Sequence, residues 1–85
     1  SENRALRTFT EDVDPSSLVW HLDRENRRII VLEGDCWYLQ LDNRLPIMLE
    51  VGKQYYIPKM TYHRVIKGLR DLVIEVQFHA LYSII

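Results

Sequence analysis

Eighty-five residues make a single small domain, 1–85, with 47% hydrophobic and 27% charged residues, a globular and not a disordered composition. Eleven basic against 12 acidic residues give a formal net charge of −1, which leaves no basic excess to drive nucleic-acid binding. A lone cysteine, Cys36, excludes an internal disulfide and a cysteine-based zinc site, and no apolar run reaches the roughly 20 residues that span a bilayer.

In chain order, Leu6 to Thr10 reads as an edge strand, and Glu11 to Ser17 as a loop, signalled by Asp14-Pro15, with room for one helical turn up to Leu18. Leu18 to Asp23 alternates like a strand, and the polar run Arg24 to Arg27 suits a loop. Arg28 to Glu33 carries Ile29, Ile30, Val31 and Leu32, a β-branched-rich strand turned by Glu33-Gly34-Asp35. Cys36 to Asp42 alternates, with Trp37, Leu39 and Leu41 on one face and Tyr38, Gln40 and Asp42 on the other. A two- or three-residue turn at Gly34 decides which of these faces, Trp37 or Tyr38, points inward.

Asn43 to Pro46 turns the chain again, and Ile47, Leu49 and Val51 form another alternating set. Gln54 to Ile57 and Tyr62 to Ile66 read as strands, with turns at Gly52-Lys53 and Lys67-Gly68. Leu72, Ile74, Val76 and Phe78 line one face of a long last strand, and the tail to Ile85 stays apolar. Seven or eight short strands without a helical period imply a sandwich or barrel.

Residues 21 to 76 resemble the cupin family. The stretch Gly52-Lys-Gln-Tyr-Tyr-Ile-Pro58-Lys-Met-Thr-Tyr-His63 matches the second cupin motif: a glycine, five residues, a proline, and a histidine further on. Gly34 matches the glycine of the first motif, His21 its first histidine, and Asp23 stands at the second histidine. Arg27 stands where the motif's glutamate belongs, and Met60 replaces a glycine common after the proline. The resemblance implies an all-β, small cupin-like barrel (a double-stranded β-helix, or jelly roll) of two antiparallel sheets, with His21 and His63 facing a central pocket.

Three readings of that pocket stay open. Positions 21 and 23 share a face on a strand, so His21, Asp23 and His63 make a metal-binding candidate set of two histidines and one carboxylate. Iron, manganese, nickel or zinc would suit it, for a dioxygenase- or isomerase-type enzyme. The second reading is a metal-free pocket that holds a small anion, with Arg27, His21, His63, Tyr38 and Gln40 as ligand-binding candidates. In the third, the histidines are structural and the barrel serves only interaction. The cupin fold supports many activities and does not choose among these. His79, opposite its strand's apolar stripe, reads as solvent-facing, and Cys36 as an unactivated thiol. Residues 76–85 are apolar enough to predict a homodimer. The first residues, Ser1 to Arg4, carry no signal-peptide apolar region, and a cytoplasmic location is the expectation.

Overall fold

The computed structural model describes residues 2–79, and of Glu2 and His79 only the backbone. Seven strands run in the order β1 (Glu2–Phe9), β2 (Arg27–Asp35), β3 (Tyr38–Leu41), β4 (Ile47–Met48), β5 (Gln54–Ile57), β6 (His63–Ile66) and β7 (Leu69–His79). All pairings are antiparallel. One sheet has the order β1-β7-β2-β5 and the other β4-β3-β6. The two sheets face each other without closing into the expected barrel; the cupin-like pairing of two antiparallel sheets stands.

Period-two alternation builds the interior. In β7, Leu72, Ile74 and Val76 are buried, and their partners across the ladder in β2, Val31 and Ile29, lie on the same inner face. From the opposite sheet come Trp37 and Leu39, both fully buried. The inward choice between Trp37 and Tyr38 therefore falls to Trp37. Its indole Nε1 donates to the carbonyls of Leu69 and Arg70, at 3.0 and 3.1 Å, so burial leaves no polar atom without a partner on this ring.

Strand boundaries differ from the sequence reading at several points, while the helical turn allowed for before Leu18 forms. Gly34 does not turn the chain; it lies within β2, which continues to Asp35 through two register shifts. Its φ of 150° suits glycine, and a Cβ there would stand 2.7 Å from Leu72 Cδ1. The reversal comes two residues later, at Cys36 with φ 58°. Leu18 to Asp23 is not a strand, because only His21 forms a β-bridge there. Within the Glu11–Leu18 loop, a single 3-10 turn forms over Pro15–Ser17, with Asp14 accepting from the Ser16 amide.

The second-motif turn forms as its residues dictate. Gly52 takes a φ of 87°, and Pro58 follows β5 directly. Met60, where a glycine is common, is held at φ 58°, a conformation that costs a side chain roughly 1 kcal/mol or more. The start of the apolar tail, Val76 to Phe78, is built into this chain's own sheet between β1 and β2. Residues 80–85, on which the homodimer expectation also rested, and the side chain of His79 lie outside the described residues. No helix among the described residues is long and apolar enough to cross a membrane.

Candidate metal centre

The interior is solid around Trp37 and opens at the other end into a cavity of ≈ 290 Å³. Its body is aliphatic, with Ile29, Leu39, Ile57, Val65 and Val76 among the walls, and its polar groups converge on one side: His21, Asp23, Arg27 and His63.

Backbone hydrogen bonds set the two histidines side by side. The His21 amide donates to the His63 carbonyl at 3.0 Å, and the His63 amide donates back to the His21 carbonyl at 2.8 Å. Residues that exchange both bonds across an antiparallel pair stand directly opposite, with side chains on one face. The rings accordingly lie 4.3 Å apart, centroid to centroid. His21 is thereby attached to the edge of β6 by one bridge, which suffices to aim its ring although no strand forms around it. Two residues on, the Asp23 carbonyl accepts from the Met60 amide at 2.7 Å, which draws Asp23 in under the turn that precedes His63.

The ring tautomers follow from their partners. His21 Nδ1 lies 2.9 Å from the Val19 carbonyl, and His63 Nδ1 lies 2.8 Å from the Thr61 carbonyl. A carbonyl can only accept, so both Nδ1 atoms carry hydrogen. In the neutral rings each Nε2 then presents a lone pair. Burial pushes the His63 imidazole below its ordinary pKa, against the opposing pull of the Thr61 carbonyl, so the neutral form prevails at pH 7.

Asp23 completes the set. One ligand atom from each of His21, Asp23 and His63 falls within 4.8 Å of the others. Asp23 Oδ2 is buried and has no hydrogen-bond partner among the described residues. Its nearest nitrogens are His63 Nε2 at 3.3 Å and Arg27 Nε at 3.5 Å. With His63 neutral, Oδ2 and Nε2 meet lone pair to lone pair, an arrangement that a shared cation relieves. Two imidazoles and one carboxylate, held by backbone carbonyls behind the rings, fit a divalent transition metal and leave other coordination positions open.

Arg27 is close to this group but already matched. Its Nη2 and Nε donate to Glu25 Oε1 at 2.6 and 3.1 Å, and the guanidinium lies over the Phe78 ring, 5.3 Å from its centroid. Asp23, Glu25 and Arg27 together leave one net negative charge, so the arginine does not repel a cation outright.

Tyr38 and Gln40 do not join the cavity: Leu39 between them lines it, and alternation sends both neighbours to the far side of β3. There Gln40 is occupied, accepting from Arg64 Nε at 3.0 Å and donating to the Arg44 carbonyl at 3.0 Å. These two ligand-binding candidates rested on a two-residue polar alternation whose face was unfixed. Arg7 and Phe9, by contrast, line the cavity and escaped the sequence reading. The available signal was their spacing, since Arg7 shares a strand face with Phe9, the large aromatic of β1. The Cys36 thiol is exposed and its pKa is raised by its hydrogen bond to Asp35 and by that carboxylate's charge, as expected of an unactivated cysteine.

No family model matches the chain, and no curated protein matches it. Solved structures do. A crystal structure of the DMSP lyases RdDddP and RnDddQII is similar over 94% of this chain with a TM-score of 0.80 and 19% identity. A cupin-2 domain containing protein from Shewanella frigidimarina is similar over 89%, with TM-score 0.68 and 22% identity. FeII HppE is similar over 93%, with TM-score 0.72 and 17% identity. The chain spans 39% of the length of the lyase structure, 68% of the cupin-2 protein and 43% of HppE. At these identities the likeness establishes one thing, the fold, and that fold is the cupin fold.

Proposed function

We propose that the cavity is a metal-dependent small-molecule site, in which His21 Nε2, His63 Nε2 and an Asp23 carboxylate oxygen hold one divalent cation. The observation that carries this reading is the convergence of His21, His63 and Asp23, whose ligand atoms lie within 4.8 Å of one another, on the buried Asp23 Oδ2, which has no hydrogen-bond partner among the described residues and only a long ion pair, 3.5 Å, to an Arg27 already bonded to Glu25. A buried carboxylate oxygen without a hydrogen bond costs free energy, which a directly coordinated cation offsets better than a guanidinium at 3.5 Å. Three protein ligands leave positions at which a bound substrate gains Lewis-acid activation or, with iron, redox chemistry. The DMSP lyase and FeII HppE structures, similar in fold, are of enzymes, and HppE carries iron; an enzymatic role here draws support from them. Iron, manganese, nickel and zinc all suit two imidazoles and a carboxylate.

Titration of tag-free, chelator-treated protein with cobalt(II), followed by its visible absorption, tests the reading. One equivalent is expected to bind, and His63→Ala is expected to weaken binding by more than about 100-fold. Absence of stoichiometric binding by wild type, or equal binding by His63→Ala, would overturn it. The metal-free anion pocket would then be the better account of the same residues.

A further inference from the structure

Two guanidinium groups reach the cavity, and their surroundings differ. Arg27 is matched by Glu25 and Asp23. Arg7 has no carboxylate within 4.0 Å among the described side chains; its one described partner is the Phe9 ring, with the guanidinium carbon 4.6 Å from the centroid. Arg7 pairs across the ladder with Ile74, an inner-face residue, so its side chain leaves β1 toward the space between the sheets. Arg4, facing the other way, is already paired with Glu75.

From these contrasts we infer that Arg7 is the anion anchor of the cavity. The ligand it implies is a small organic acid with an oxyanion head, an aliphatic body and a polar end that reaches the His21–Asp23–His63 group. Three features of the cavity argue for that class. The planar fork of an arginine takes a carboxylate or phosphonate with two parallel hydrogen bonds, and the Phe9 face holds the fork without neutralising it. The walls between the two ends are aliphatic, which favours a hydrocarbon body over a sugar or nucleotide. A volume of ≈ 290 Å³ holds roughly ten water-sized atoms, which suits a short-chain acid.

The ends are also well spaced. Along β7, Ile74 faces Arg7 and Phe78 faces Arg27, four residues or about 13 Å apart. A ligand held at both ends lies along the strand, its head at the mouth near Arg7 and its other end beside Asp23. This assignment rests on the metal-dependent reading only for the inner end; the head group depends on Arg7 alone.

Calorimetric titration with short-chain carboxylates, phosphonates of equal length and the corresponding neutral amides tests the assignment, on wild type, Arg7→Met and the outer-face control Arg4→Met. Acids are expected to bind wild type and Arg4→Met, and amides neither. Arg7→Met, which keeps the chain length and loses the charge, is expected to bind the acids about 10- to 100-fold more weakly, while cobalt(II) binding in the absence of acid is unchanged. Preference between carboxylate and phosphonate identifies the head group. Equal acid affinity in Arg7→Met and wild type, or no acid binding by wild type that takes up cobalt, overturns the anchor. Arg7-dependent acid binding in protein that takes no metal leaves the anchor standing and overturns the metal reading.

Discussion

The two ends of the space between the sheets use the same alternation and reach opposite results. At one end Trp37, Val31 and Leu72 are fully buried, the indole N–H has two carbonyl partners, and the space is filled. At the other end the first inner-face position of β6 and its bridge partner are the histidines His63 and His21, Asp23 Oδ2 has no hydrogen-bond partner among the described residues, and a cavity remains. The packed end contributes stability; the open end gives some of it up for a set of convergent polar groups. Side-chain size and chemistry at a few inner positions, not topology, make the difference.

The largest test of this contrast is Trp37→Ala. It removes the biggest core side chain and leaves the carbonyls of Leu69 and Arg70 without the indole donor, and a loss of about 3–5 kcal/mol by denaturant unfolding is expected. A loss below about 1 kcal/mol would mean that the packed end is not what holds the sheets together.

Asp23→Asn should act in the other direction. The amide nitrogen can donate to the His63 Nε2 lone pair, which Asp23 cannot when ionised. The metal-free variant is expected to gain about 1 kcal/mol in the same unfolding measurement while losing cobalt binding. A variant destabilised by more than about 2 kcal/mol would show that Asp23 serves the fold and that the open end is as structural as the packed one.

The smallest effect is in pH. Burial lowers the folded-state pKa of His63, so between that value and the unfolded value of roughly 6.5 the unfolded chain binds the extra proton. Stability of the metal-free protein is therefore full above about pH 6.5 and falls as the pH drops toward the folded pKa. Asp23 facing the ring opposes the shift, and His21 and Arg27 reinforce it. His63→Gln is expected to flatten this slope; an unchanged slope would place the titration elsewhere.

Much of this was legible along the chain. The apolar alternation of Leu72, Ile74 and Val76 pointed to the inner face of β7, and the likeness of Gly52 through Pro58 to His63 to the second cupin motif implied the turn that returns a histidine to the cavity. The set His21, Asp23 and His63 was also readable: residues two apart on extended chain share a side, and the cupin resemblance implied that His63 faces the same pocket. The Glu25 partner of Arg27 was not readable, since Glu25 lies two residues away in a loop whose path no periodicity fixes. Nor was the placement of Tyr38 and Gln40, which turned on where the chain reverses near Gly34, one residue being enough to exchange the faces of β3.

The order of apolar and polar residues thus determined by itself most of the strands and, in β2 and β7, which face is buried, because side-chain alternation is a local property of extended backbone. Tertiary structure alone decided that Arg7, from the far edge of one sheet, shares a cavity with two histidines bridged at the edge of the other, and that the sheets stay open around it. Those relations depend on how two twisted sheets pack across their interior, and that packing depends on the shapes of side chains distant in sequence.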